Sequence, residues 1–163
     1  MHPHHIDTQS GSRPEEGKTP VLRLVAWETT RNCNLNCVHC RAAATRGPYS
    51  GELDTPAALQ LLDQIAAVGR PIVILTGGEP LLRSDIFDIA RYGTDLGLRM
   101  VMAPNGTLIT DATARRMVES GIKRISISLD GASRDKHDRF RGVEGAFDSA
   151  LRGIEMAKKA GLE

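Results

Sequence analysis

The chain has 163 residues, 40% hydrophobic and 25% charged, with a formal net charge of +1, the make-up of a soluble globular protein long enough for one respectable core. This near-neutral balance gives no electrostatic case for nucleic acid or an anionic membrane as the main partner. No apolar run approaches the roughly 20 residues that span a bilayer, and the opening Met1-His2-Pro3-His4-His5 lacks the apolar stretch of a signal peptide.

Residues 1–19 are rich in His, Ser, Gly, Pro and Glu and read as a disordered leader. His2, His4 and His5 are metal-ligand types, but nothing near them would fix a geometry, so a solvated leader is the better reading. From Pro20 to Glu163 the pattern alternates strand and helix. Leu22 to Trp27 predicts a first strand. Asp54-Thr55-Pro56 predicts a capped helix start, with Ala58, Leu61, Leu62 and Ile65 on one face and a stop at Gly69. Pro71 to Leu75 is wholly apolar, as a buried parallel strand would be. Ser84 is expected to cap a second helix, striped by Ile86, Ile89, Ala90 and Leu96. Leu98 to Ala103 predicts a third strand, and a helix from about Asp111 carries Ala114, Met117 and Val118. Arg124 to Leu129 predicts a fourth strand, and Phe147, Ala150, Leu151 and Ile154 stripe a last helix ending near Gly161.

The last three strands start 27 and then 26 residues apart, a βαβ rhythm that implies right-handed crossovers and a parallel sheet covered by helices. About four βα units are present. Four units cannot close a barrel, so residues 20–163 are expected to be the N-terminal part of a longer α/β core domain.

Residues of chemical interest fall just past the C-terminal ends of the strands, the rim where parallel α/β folds bind ligands. Cys33, Cys37 and Cys40, the only cysteines in the chain, follow the first strand. Thr76-Gly77-Gly78-Glu79-Pro80 follows the second, Pro104-Asn105-Gly106-Thr107 the third, and Asp130-Gly131 the fourth. A disulfide would leave an odd thiol. Zinc would want His39 as a fourth ligand, which a position between Val38 and Cys40 makes cramped, and no second C-x₂-C pair exists. An iron–sulfur cluster held by three thiolates with one open iron is the better reading. Thiolates kept for metal point to a reducing cytoplasm.

Gly77 and Gly78 allow close backbone approach, and Glu79 is an acceptor suited to an ammonium group. Strand alternation puts Ser126, Ser128 and Asp130 on one face, expected to turn toward a ligand. Asn105 reads either as turn chemistry or as a ligand contact. In the polar segment between the last strand and helix, His137 and Arg139 are expected in a solvated loop. Arg141 is expected to reach over the rim to a carboxylate.

Cys33-x₃-Cys37-x₂-Cys40 after one strand and Gly77-Gly78-Glu79-Pro80 after the next resemble the radical S-adenosylmethionine (SAM) enzymes, over about residues 23–163. The resemblance implies a partial (β/α)₆ TIM-like barrel. It also implies a [4Fe–4S] cluster on Cys33, Cys37 and Cys40, with SAM bound at its open iron. One electron would cleave SAM to a 5′-deoxyadenosyl radical that abstracts a substrate hydrogen. The same resemblance places Gly77, Gly78, Glu79 and Pro80 at the SAM amino group. It puts Asn105, Ser128 and Arg141 at its ribose or carboxylate, and His39 beside its adenine.

Segments such as Ala26-Trp27-Glu28, Cys40-Arg41-Ala42, Gly47-Pro48-Tyr49, Met100 to Thr107 and Phe140-Arg141-Gly142-Val143 are similar to the tetrapyrrole-modifying group of the alternative haem pathway. That similarity implies oxidative decarboxylation of two propionates of iron-coproporphyrin III to vinyl groups. Its alternatives are deacetylation of didecarboxysirohaem, a peptide-modifying maturase and, last, a non-enzymatic metal module. A tetrapyrrole substrate and an electron donor such as flavodoxin or ferredoxin are the implied partners. Further cysteines for an auxiliary cluster would lie beyond residue 163.

Overall fold

The computed structural model describes residues 21–44, 46–47 and 49–163. The expected leader at 1–19, with His2, His4 and His5, lies outside the described residues, as does Pro48.

Strand β1 (Leu24–Thr30), β2 (Ile72–Gly77) and β3 (Arg99–Met102) form a parallel sheet in the order β1-β2-β3. Helices α1 (Thr55–Val68) and α2 (Ile86–Asp95) make the crossovers. Helix α3 (Asp111–Glu119) follows β3, and α4 (Arg134–Arg141) and α5 (Ala146–Lys159) close the described chain. Alternation gives the sheet two faces. Val73, Leu75, Met100 and Met102 are buried against the helices, with Val25 and Trp27 packed beside them. Leu24, Ala26, Ile72, Ile74 and Val101 point the other way and are exposed or half-buried. This is the architecture of part of a TIM-like barrel: helices outside, an open concave face inside.

Local chemistry sets the helix limits. Asp54 caps α1 by accepting from Ala57 N at 3.0 Å, and Ala58, Leu62 and Ile65 are its buried stripe. Helix α3 starts on a reciprocal cap between Thr110 and Thr113. The second helix differs from expectation: Asp85 occupies its N-cap position and Ser84 is an exposed turn residue. The Asp85 carboxylate makes no cap bond, because Arg83 takes it at 2.7 and 3.0 Å and Thr55 at 2.6 Å. Strand β1 runs from residue 24 to 30, where 22–27 was expected. The polar Thr29 and Thr30 are drawn in by side-chain bonds to Thr76 O and to Glu52.

The fourth strand is reduced to a single bridge, Met102 to Ile125, with Met102 N bonded to Arg124 O and Ser126 N to Met102 O. On its other flank only Glu163 pairs among the described residues, giving to Lys123 O and accepting from Ile125 N. The ladder beyond Ser126 therefore lacks partners there. The polar segment after it was expected as loop, but residues 134–141 form α4. His137 is 1% exposed, its Nδ1 accepting from Asp130 N. Burial of His137 against Phe147 and the Asp130 turn, together with that of Arg141, draws a sequence poor in apolar residues into a helix.

A thiol-lined cleft at the strand ends

The chain leaves β1 into the cysteine loop, and other loops hold it in place through its backbone. Asn36 N donates to Arg141 O and Val38 N to Phe140 O, both at 3.0 Å, so the end of α4 runs alongside the loop. Asn32 Oδ1 accepts from Gly47 N at 2.9 Å and Asn32 N donates to Thr30 Oγ1 at 3.0 Å. Cys33 is buried with Leu35, Ala44 and Ala146, and Cys37 and Cys40 pack on that cluster. Each sulfur receives one N–H donor: Cys33 from Leu35 N at 3.4 Å, Cys40 from Ala44 N at 3.3 Å, and Cys37 from Arg141 Nη1 at 3.7 Å. Burial pushes the Cys33 thiol above its ordinary pKa, with the Glu79 carboxylate and the other two thiols adding to the rise.

The three thiols open into a cleft of about 390 Å³, whose wall also includes His39, Gly77, Gly78, Asn105, Ser128 and Arg141. These are nine of the residues that the sequence points to, and the fold brings them to one surface. His39 stacks on Phe140 with ring centroids 4.2 Å apart. Ser128 is exposed, and Arg141 is mostly buried beneath it.

Arg141 does reach a carboxylate, but it belongs to this chain. Its Nε lies 2.6 Å from Asp130 Oδ2, an ion pair in which the N–H direction misses the oxygen, and Nη2 donates to Ser128 O at 2.9 Å. Asn105 is likewise occupied: its Oδ1 accepts from Thr107 N and Oγ1, and its Nδ2 donates to Asn34 at 2.8 Å.

The Gly-Gly turn is built for close approach to the cysteine loop itself. Gly78 N donates to Thr30 O at 2.7 Å and Glu79 N to Asn32 O at 2.8 Å. A Cβ on Gly78 would press on the Arg31 and Asn32 carbonyls, and Gly77 holds φ +133 against Thr30 O. Glu79 departs from its expected role. It is fully buried outside the cleft wall, Oε1 accepting from Leu81 N at 3.0 Å and Oε2 from Asn105 N at 2.6 Å. Burial outweighs those two bonds and raises its pKa from 4.5 to about 7. Pro80 is also buried outside the wall, as the first residue of a 3₁₀ turn, Pro80–Leu82.

Glu28, Thr76 and Arg41 line the cleft without having been given a role of their own from the sequence. Strand parity was the available signal for the first two, since Glu28 pairs with Thr76 on the concave face. Asn34 and Asp130 matter through partners 71 and 11 positions away, which no local pattern displays.

Among the described residues no three His, Cys, Asp or Glu side chains are grouped to hold a single metal ion. The three thiols share the wall of one cleft. No helix among the described residues is long and apolar enough to cross a membrane.

A parallel α/β part-barrel with three thiols and a glycine turn on its C-terminal rim defines a protein that builds its site from a thiol-held centre. The family model described as Radical SAM superfamily matches residues 27–163. The chain belongs to that superfamily, whose cofactors are a [4Fe–4S] cluster and SAM. The donor set fits them: three sulfurs, each already given one N–H, facing a cleft large enough for a second ligand. The chain is 52% identical over 159 residues to the AdoMet-dependent heme synthase of Oleidesulfovibrio alaskensis, covering 98% of this chain and 41% of that protein. It is 54% identical over 142 residues to the AdoMet-dependent heme synthase of Methanosarcina barkeri, covering 87% and 41%. The chain thus spans about two fifths of the length of these relatives. Streptococcus suis SuiB, solved bound to S-adenosylmethionine, shares the fold with a TM-score of 0.73 at 20% identity, over 87% of this chain and 32% of that one.

Proposed function

We propose that this chain is the cofactor-binding part of a radical SAM enzyme that oxidatively decarboxylates two propionates of iron-coproporphyrin III to vinyl groups in haem biosynthesis. The observation that carries the reading is the cleft in which Cys33, Cys37 and Cys40 meet Gly77, Gly78, Asn105 and Ser128. The similarity to heme synthases supports the choice of substrate.

Cys33, Cys37 and Cys40 hold the cluster. Bound there, the cluster would supply the electron that cleaves SAM for hydrogen abstraction from a propionate side chain. The residues of the chain do the positioning. Gly77 and Gly78 present a wall without side chains, against which the methionine part of SAM lies. Ser128 and Asn105 offer polar groups at the ribose or carboxylate, and Arg141 offers positive charge at the same edge. His39, held by Phe140, flanks the adenine. Glu79 and Pro80 act one layer behind, fixing the turn that Gly77 and Gly78 belong to. Glu28 and Thr76 close the floor of the cleft and limit water around the bound ligands.

The enzyme works in the reducing cytoplasm, with a low-potential donor protein such as flavodoxin or ferredoxin. The test is anaerobic reconstitution of the full-length protein with iron and sulfide, followed by incubation with SAM, a reductant and iron-coproporphyrin III. Formation of 5′-deoxyadenosine together with a vinyl-bearing product is expected. Absence of 5′-deoxyadenosine under reducing conditions rejects radical chemistry. Its formation without a vinyl product rejects the substrate and leaves didecarboxysirohaem or a peptide.

A further inference from the structure

The concave face of the sheet below the cleft carries two cations, Arg99 and Arg124, and the hydroxyl of Ser126 on an otherwise apolar floor. The ladder registers set Leu24, Ile72 and Arg99 side by side at the strand starts. Two residues further along, Ala26, Ile74 and Val101 form the next row. The bridge of Met102 to Ile125 brings Arg124 beside Val101 in that row. Leu24, Ile72, Ile74, Arg99, Val101 and Arg124 line a cavity of about 280 Å³.

Neither of these guanidiniums has an ion pair or hydrogen bond among the described residues, whereas Arg83, Arg115, Arg134 and Arg141 each meet an aspartate. Anything that covers the apolar floor takes Arg99 and Arg124 out of water with it. Desolvating a cation without a counter-charge is costly. The occupant must therefore pair apolar area with carboxylates, and guanidinium is the side chain that best matches a carboxylate in a two-pronged bond.

We infer that Arg99 and Arg124 bind the two propionates of the tetrapyrrole that are not decarboxylated, with the macrocycle lying over Ile74 and Val101. The inference rests on the porphyrin reading above. Position along the strands supports the division of labour. Arg124 is four residues below Ser128 and Arg99 six below Asn105. The cavity that the two arginines line shares no lining residue with the cleft at the cysteines. A carboxylate held there is out of reach of chemistry at the cysteines. One at the opposite edge of the same flat molecule is not. The two arginines thus decide which propionates react by fixing those that do not.

The test uses the full-length, cluster-loaded protein and follows the porphyrin absorption band during titration, with no turnover. Unaltered protein is expected to bind iron-coproporphyrin III at least tenfold more tightly than its tetramethyl ester, which keeps the ring and loses the charges. Arg99→Gln and Arg124→Gln are each expected to weaken iron-coproporphyrin III binding about tenfold and to leave ester binding within twofold. Arg99→Lys and Arg124→Lys, which keep the charge, are expected to recover part of the loss, and equal iron and sulfide content in all variants shows that the fold is retained. Unchanged affinity in both Gln variants overturns the inference while the porphyrin reading stands. Unchanged affinity with lowered stability assigns the arginines to carboxylates of the chain itself and overturns it too. No binding by the unaltered protein overturns the porphyrin reading, and the inference with it.

Discussion

The buried Glu79 carboxylate accepts the backbone N–H of Asn105 at 2.6 Å, tying the turn after β2 to the turn after β3. Asn105 passes the link on to Asn34, one residue from Cys33. Glu79 thus acts on the cysteine loop from behind, through the backbone of two other loops.

Replacing Glu79 by Gln removes one of its two acceptor oxygens, so either Leu81 N–H or Asn105 N–H faces an amide NH₂ in a buried site. A loss of about 1–3 kcal/mol in stability is expected, measurable as a lowered urea midpoint with an unchanged slope. The iron content after reconstitution is expected to fall with it. A neutral substitution would show that the two bonds are dispensable.

The same carboxyl gives a pH dependence. Its pKa is about 7 folded against 4.5 as the ordinary value, so between these pH values the folded state binds the proton and the unfolded state does not. Stability from this group is therefore present below about pH 4.5 and is lost as pH rises to about 7, by on the order of 3 kcal/mol. The stability gap between the unaltered protein and Glu79→Gln is expected to be wider at pH 5 than at pH 8, because the Gln variant lacks the titration and other groups cancel in the difference. A gap that widens with pH would show that Glu79 is an ordinary ionised carboxylate.

Gly78→Ala places a Cβ 2.8 Å from Arg31 O, a backbone atom that cannot swing away. The turn must separate from β1 and the Gly78 N to Thr30 O bond must stretch. Destabilisation of about 1–3 kcal/mol is expected, with reduced iron uptake, because the loop that shifts carries Cys33. Thermal unfolding and iron analysis of the purified variant check both effects.

Arg141 donates to Cys37 Sγ while sharing its charge with Asp130. In the cluster-loaded protein, Arg141→Met removes both the N–H and the positive charge beside the sulfur. The cluster potential is expected to move to a more negative value, read by potentiometric titration under anaerobic conditions. An unmoved potential would restrict Arg141 to holding Ser128 O and the end of α4.

Cys33→Ala, Cys37→Ala and Cys40→Ala are each expected to reduce iron and sulfide to the background of the purified protein. A variant that keeps full iron and sulfide would remove that cysteine from the ligand set.

Strand–helix alternation, the stop at Gly69, the apolar run of β2 and the crowding of Cys33, Cys37 and Cys40 are local properties. A chain whose apolar residues recur at these periods has few other ways to bury them, so the parallel α/β class and the rim position of the thiols were legible in the sequence alone. The resemblance carried by the cysteine and Gly-Gly-Glu-Pro segments extended this to the family.

Tertiary structure decided what each polar group does with its hydrogen bonds. Glu79, expected at a ligand, is spent on Leu81 and Asn105 because burial leaves its oxygens no water and backbone donors are nearest. His137, expected in solvent, is buried because α4 folds over the turn at Asp130. The fourth strand, a clear alternation in sequence, is reduced among the described residues to pairing with Met102 on one side and Glu163 on the other, because a ladder depends on partners distant in the chain. Periodicity is written residue by residue. Partners 71 positions apart, such as Asn34 and Asn105, exist only once the strands have set their loops side by side.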